Sequence, residues 1–302
     1  MNRLSRTALA TGVLGAGCLA YGTLLERRWY RLQRLQLPGT LRRPADTADG
    51  RLRILHVSDV HLVPGQDHRI RFLASLARLD HDLVVATGDL LGAPDTEDLA
   101  ADALAPLTSG GRPGLVVLGS NDLYGPVPKT PVAYFIEPDR RRFGPRLDTD
   151  RFVDRLGAYG YRTLRGEACT IETAAGRVAV GGFDDPHLPE TVIPTPEVLR
   201  PPDAGDVVAS LGLVHAPYLA ALDVLVDAGH EVLLAGHTHG GQVRVPGVGA
   251  LIANCDLPLD QARGASRYRG RWLHVSAGLG HNRYAPVRFA CRPEATLLEL
   301  SP

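Results

Sequence analysis

The chain is poor in cysteine and has no surplus of charge of either sign. Its four cysteines, Cys18, Cys169, Cys255 and Cys291, stand far apart in 302 residues and form no Cys-x-x-Cys pair. That spacing excludes a zinc ribbon and a disulfide scaffold and leaves the thiols as small core residues, with the redox compartment open. Lys and Arg number 33 against 33 Asp and Glu, so bulk electrostatics select no polyanionic partner and no nucleic acid is expected. Internal repeats and long low-complexity segments are absent as well. The length suits one large domain or two ordinary ones.

One long uncharged run is present. After Arg3 and Arg6, residues 7–25 carry no charge over about the length of a bilayer core. The run lacks a polar face, so it reads as a single membrane span or signal-anchor rather than a core helix, with a cleaved signal peptide as the alternative. Leu14-Gly15-Ala16-Gly17-Cys18 fits a lipoprotein cleavage site poorly, because Gly15 occupies the third place before the cysteine. The following basic stretch to Arg34, with Trp29 and Tyr30, suits a headgroup interface, and its arginines favour a cytoplasmic location for the body of the protein. Pro38, Gly39, Pro44 and Gly50 mark a linker. The expected division is an anchor with basic flank (1–35), a linker (36–50) and one folded domain (51–302).

From residue 51 short apolar runs alternate with helical stretches, the pattern of an α/β domain. Strands are expected at 53–58, 83–87, 115–118, 168–173, 177–182, 210–214, 231–235, 271–276 and 295–300, with helices at 67–79, near 95–107, near 149–158 and at 218–228. Three early strands end alike, in Asp59-Val60-His61, Gly88-Asp89 and Gly119-Ser120-Asn121-Asp122. Any one such ending is ordinary turn chemistry, but their recurrence in step carries weight, because open α/β sheets place their chemistry at strand ends. Later strands deliver His215 and then Gly236-His237-Thr238-His239-Gly240-Gly241. A lone His-x-His pair serves equally well as a hydrogen-bonded surface feature. In an extended strand His237 and His239 share a face, and one ion or two neighbouring ions can draw on both. The proline-rich stretch 123–148, with Lys129 and the basic cluster at Arg140, is expected as a flap able to meet an anionic substrate.

Gathered from strand ends, the set is Asp59, His61, Asp89, Asn121, His215, His237 and His239. Carboxylates, imidazoles and an amide oxygen suit Mn, Fe or Zn. Seven such ligands are too many for one tetrahedral ion, whereas two ions roughly 3.5–4 Å apart, bridged by a carboxylate, are the apparatus for in-line displacement at phosphorus.

In order and spacing these motifs resemble those of calcineurin-like metallophosphoesterases, most of all their small membrane-associated bacterial branch, over about residues 52–300. The resemblance implies two mixed β-sheets packed as a sandwich and flanked by helices. It further implies one ion on Asp59, His61, Asp89 and His239, and a second on Asp89, Asn121, His215 and His237. The family pattern is Gly-Asn-His-(Asp/Glu), so in strict register Ser120 replaces the ligand Asn and Asn121 the His that assists the leaving group. Asn121 is expected to supply the amide oxygen after a local shift, with Asp122 behind it. With the usual acid missing, either the leaving group needs little protonation, or His187 or His281 donates or binds substrate. The expected function is hydrolysis of a phosphodiester or phosphomonoester in a phosphorylated small molecule or lipid head group. The alternatives are a metal-binding scaffold without catalysis and a mononuclear zinc hydrolase.

Overall fold

The computed structural model describes residues 3–128, 143–201 and 205–302. In chain order its strands are β1 (Arg31–Leu37), β2 (Leu52–Val57), β3 (Leu83–Thr87), β4 (Gly114–Val117), β5 (Tyr161–Thr163), β6 (Glu167–Thr173) and β7 (Gly176–Phe183). The series continues with β8 (Ala209–Val214), β9 (Val232–Ala235), β10 (Arg244–Val245), β11 (Gly249–Ala250), β12 (Gly264–Tyr268), β13 (Arg271–Val275) and β14 (Glu294–Leu300). One sheet has the order β1-β14-β2-β3-β4-β5 and the other β12-β13-β9-β8-β7-β6, while β10 and β11 form a small ribbon. Both sheets are mixed. In the first, β2 to β5 run parallel and β14 opposes β2; in the second, β7, β8, β9 and β13 run parallel and β6 and β12 oppose their neighbours.

The two-residue period of a strand explains how the layers stack. Leu52, Ile54, Leu83, Val85, Leu115 and Val117 form one cluster with Val178, Val180, Leu211, Leu213, Val232 and Leu234 of the second sheet. The intervening Leu55, Val57, Val84, Ala86 and Val116 pack instead with Leu73, Leu104, Phe152 and Leu156, which lie on or beside the helices Asp67–Leu76, Glu97–Leu104 and Thr149–Ala158. On the far side Leu233, Ala235, Leu273 and Val275 meet Ala221, Leu222 and Leu225 of the helix Leu219–Asp227. Strands buried on both faces therefore read as continuous apolar runs. Their parallel arrangement gathers the C-terminal ends of β2, β3, β8 and β9 at one end of the sandwich.

The N-terminal region differs from its expected form. The helix Arg3–Ala20 continues as a π-helical turn, Tyr21–Leu25, and among the described residues no helix is long and apolar enough to cross a membrane. The expected span is thus not supported: Gly12, Gly15, Gly17 and Gly22 and the threonines dilute its hydropathy. Its end is docked on the domain. Glu26 is buried and accepts the backbone N–H groups of Ala290 (2.9 Å) and Cys291 (2.6 Å), and Tyr21 meets Phe289 edge to face. Much of the supposed basic flank is β1, paired in parallel with β14. The supposed linker is also bound, through Arg42 N–H to Val208 O and Asp46 N–H to Ala175 O. Short or weakly apolar strands β5, β10, β11 and β12 were not expected from sequence.

Candidate metal centre

The ends of β2, β3 and β9 deliver their candidate ligands through strained backbone, while His215 after β8 has no positive φ. Asp59 (φ 48°), His61 (43°), Asp89 (52°), His237 (69°) and His239 (49°) all lie in the left-handed region, which costs a non-glycine residue about 1–3 kcal/mol and is characteristically concentrated at functional sites. They make up five of the ten non-glycine residues with positive φ among those described. Two glycines permit the close approach. A Cβ on Gly88 would stand 2.7 Å from His215 Nδ1, and one on Gly236 would overlap Ser58 Oγ and stand 2.7 Å from Asp59 Oδ2.

These turns bring the donor atoms into two adjoining groups. In the first, His61 Nε2 and His239 Nε2 face each other at 3.3 Å, with Asp89 Oδ2 3.5 Å from the former and Asp59 Oδ1 3.6 Å from the latter. In the second, His215 Nε2 lies 3.3 Å from His237 Nδ1 and 3.5 Å from Asp89 Oδ1. Asp89 thus turns one oxygen to each group. Asp59, His61 and His239 place ligand atoms within 4.8 Å of one another, as do Asp59, Asp89 and His215, and also Asp185, His215 and His237. The sequence reading left Asp185 aside, although the ending of β7 in Gly-Gly-Phe-Asp-Asp repeats the small-residue-then-carboxylate signal.

Hydrogen bonds behind the ligands select the tautomers a cation requires. Thr87 O accepts from His215 Nδ1–H at 2.6 Å, which turns Nε2 into the site, and Asn254 O accepts from His237 Nε2–H at 3.1 Å, which turns Nδ1 into it. Burial pushes the His61 imidazole down to about 4. Burial, His61 and the Arg288 guanidinium hold His239 well below its ordinary value; burial also lowers His237. Lowered in this way, the rings favour the neutral form, which presents a lone pair. Burial also pushes Asp59 up to about 7. Burial would raise Asp89 too, but His215, His61 and the Asn121 backbone N–H together outweigh it and hold that carboxyl well below the usual range. The carboxylates of Asp89, Asp185 and Asp59 hold His215 well above its ordinary value despite burial. Converging carboxylates and imidazole lone pairs in a buried site fit divalent transition metals.

The remaining expected residues fall in different places. Asn121 donates its backbone N–H to Asp89 Oδ1 (2.8 Å) and its side-chain NH2 to Asp89 Oδ2 (2.7 Å). Asp122 is fully buried and accepts from Gly119 N–H, Leu90 N–H and Leu91 N–H, tying the second strand-end loop to the third. His187 stands beside the second group, its ring centroid 5.6 Å from that of His237 and its Nδ1 2.8 Å from Tyr218 Oη. His281 is buried, 3.3 Å from Arg27 Nη1, and pushed down to about 3 by burial and nearby arginines. Lys129 and Arg140 lie outside the described residues. Sequence reading also missed Arg288, which is fully buried and donates to Ala277 O (2.7 Å) and Gly280 O (2.6 Å). His237 and His239 do not share a strand face: β9 ends at Ala235 and the left-handed turns send them to different groups.

The chain is similar to several known proteins. The profile of the calcineurin-like phosphoesterases matches residues 52–241. The chain is 37% identical over 105 residues to the phosphodiesterase YaeI of Escherichia coli (strain K12), a match spanning 33% of this chain and only 36% of that protein. It is 27% identical to the uncharacterized metallophosphoesterase YkuE of Bacillus subtilis (strain 168) across 99% of both chains. Among solved structures, the phosphopantetheinyl hydrolase PptH of Mycobacterium tuberculosis superposes with a TM-score of 0.40 at 12% identity, over 78% of this chain and 91% of that one. With the family profile covering well over half of its length, the chain belongs to the calcineurin-like phosphoesterases and is a hydrolase of phosphoric esters.

Proposed function

We propose that this protein hydrolyses a phosphodiester or phosphomonoester with two divalent cations, Mn, Fe or Zn, held by the strand-end groups. Asp59, His61 and His239 would hold one, His215 and His237 the other, and Asp89 would be common to both. The observation that carries this reading is the position of Asp89, one oxygen toward each pair of imidazoles. The cations supply Lewis acidity, lowering the pKa of a water and neutralising charge that builds on the phosphoryl oxygens. The chain's own part is preorganisation. Asn121 fixes the carboxylate plane of Asp89 through two hydrogen bonds, and Thr87 O and Asn254 O fix the imidazole tautomers. His187, half-buried and beside His237, is the group placed to give a proton to a leaving oxygen on the second side.

Similarity to a protein named a phosphodiesterase supports a diester substrate. A phosphorylated lipid head group is consistent with the N-terminal segment. It exposes Val13, Leu14, Leu19, Leu24, Leu25 and Trp29 and ends at Arg27, against His281. That segment would lie on a membrane surface, its apolar side chains in the interface.

The test is turnover of an aryl phosphodiester and an aryl phosphomonoester by purified protein loaded with each metal. Metal-dependent hydrolysis abolished by a chelator is expected, and no turnover by protein carrying two bound ions contradicts the proposal. One observation favours the scaffold reading: Asn121 stands where the family's acidic His is expected, and its polar side chain is spent on Asp89.

A further inference from the structure

We propose that Asp185 is a ligand of the second cation, giving both cations the same shell of two carboxylates and two imidazoles with Asp89 shared. The inference rests on the two-cation reading above and deepens it. Asp185 is fully buried. One of its carboxylate oxygens lies within 4.8 Å of the ligand nitrogens of both His215 and His237. Its other partners are two backbone groups, His187 N–H on Oδ1 (2.9 Å) and Ser120 N–H on Oδ2 (3.1 Å). These aim the carboxylate without neutralising it, and each oxygen keeps acceptor capacity. Arg165 pairs with the neighbouring Asp184 at 2.8 Å rather than with Asp185. A buried carboxylate needs a counter-charge, and here it faces the two imidazoles of the second group.

The rest of that group shows why a further ligand is wanted. Asp89, His215 and His237 supply three donors, one fewer than Asp59, His61, Asp89 and His239 in the first group. Asn121 turns its NH2 to Asp89, and Ser120 offers only a hydroxyl. Asp185 comes from the loop after β7, against the loop that carries Ser120 and Asn121, and the Ser120 N–H bond joins the two. The charge of the site follows. Three carboxylates, Asp59, Asp89 and Asp185, against two divalent cations leave a single net positive charge, which matches a phosphodiester monoanion better than a phosphomonoester dianion.

The experiment is calorimetric titration of the full-length apo-protein with Mn2+, with metal counted per chain, for the wild type, Asp185→Ala and Asp185→Asn. Two ions are expected in the wild type. Asp185→Ala should keep one at wild-type affinity and weaken the other by about 10–100-fold, on the scale of losing one supporting group at a metal site. Asp185→Asn keeps the acceptors for His187 and Ser120 N–H, serves if the alanine variant fails to fold, and should weaken the same ion alone. Removing this negative charge should also raise the monoester-to-diester rate ratio. Two ions bound with unchanged affinity in either variant overturn the proposal. Equal loss of both ions overturns it too, by assigning Asp185 to loop structure. A wild type that binds one ion removes the two-cation reading together with it.

Discussion

The Nε2 atoms of His61 and His239 point at one another across 3.3 Å, with ring planes 16° apart and centroids separated by 5.1 Å. Two neutral imidazoles hold that arrangement only around something they share, a proton or a cation. Burial lowers both rings, which disfavours the imidazolium form and leaves a lone pair that a cation can take. Asp59 and Asp89 flank the pair and add the negative charge that a divalent ion needs.

Replacing His239 with Ala therefore removes a ligand from one group only. The variant is expected to bind one ion in place of two and to lose about 100-fold or more in kcat, the scale on which activity responds to a displaced catalytic centre. Elemental analysis alongside turnover checks this. Retention of two ions at full activity would place His239 outside the site.

Gly236→Ala is expected to be costly although it adds a single methyl group. Its Cβ would overlap Ser58 Oγ and press on Asp59 Oδ2, so about 1–3 kcal/mol of stability should be lost through overpacking. Metal affinity should fall with it. Thermal melts with and without metal separate the two effects, since a purely structural change lowers both melts equally. Gly157→Ala, where the added Cβ meets nothing within 4 Å, serves as the harmless control.

Acid should destabilise the metal-free protein between pH 6.5 and about 4. Burial lowers His61, His230 and His274 to about 4 and His281 to about 3. Below their ordinary value of 6.5, the unfolded chain therefore takes up protons that the folded chain refuses. Stability then rises with pH across this window and is lost as pH falls. Asp59 and Asp122, both pushed up to about 7 by burial, act in the opposite sense, because the folded chain holds their protons where the unfolded chain does not. Burial lowers His56, His237 and His239 in the same sense as the first four, whereas His215, held above its ordinary value by carboxylates despite burial, acts with the two carboxyls; the lowered rings are the larger set, so stability should fall toward acid. Urea unfolding at pH 5, 6 and 7 measures it, and equal stability at all three values would contradict the burial of these rings as neutral groups.

Asn121→His separates the enzyme from the scaffold reading. If Asn121 acts by orienting Asp89, the substitution removes the 2.7 Å side-chain bond, and metal affinity and turnover should both fall by about 10–100-fold. A large gain in turnover at unchanged metal content would instead identify a site that had lost its acid.

Strands β2, β3, β4, β8 and β9 were legible as short apolar runs, the first three closed by small residues and carboxylates and the last two by histidines, whereas the packing of two sheets followed only from the family resemblance. Asp59, His61, Asp89, His215, His237 and His239 were found by their recurrence at those endings, and all six meet in the structure. What stayed hidden depended on tertiary contact. β1 reads as a basic juxtamembrane flank because its Arg-Leu-Gln triplets have no two-residue period, and only pairing with β14 makes it a strand. β12, polar along most of its length, gave no periodic signal. The separation of His237 from His239 depends on left-handed backbone, which a two-residue period cannot foresee. Asp185 was passed over because its loop was read for His187. Arg288 is isolated in sequence and acquires its role from carbonyl groups that the fold alone brings to it.

The most direct measurement is anomalous diffraction from crystals of the Mn2+-loaded protein. Two peaks are expected, one among Asp59, His61 and His239 and the other among His215, His237 and Asp185, with one oxygen of Asp89 against each. A single peak, or two peaks that do not share Asp89, would contradict the account.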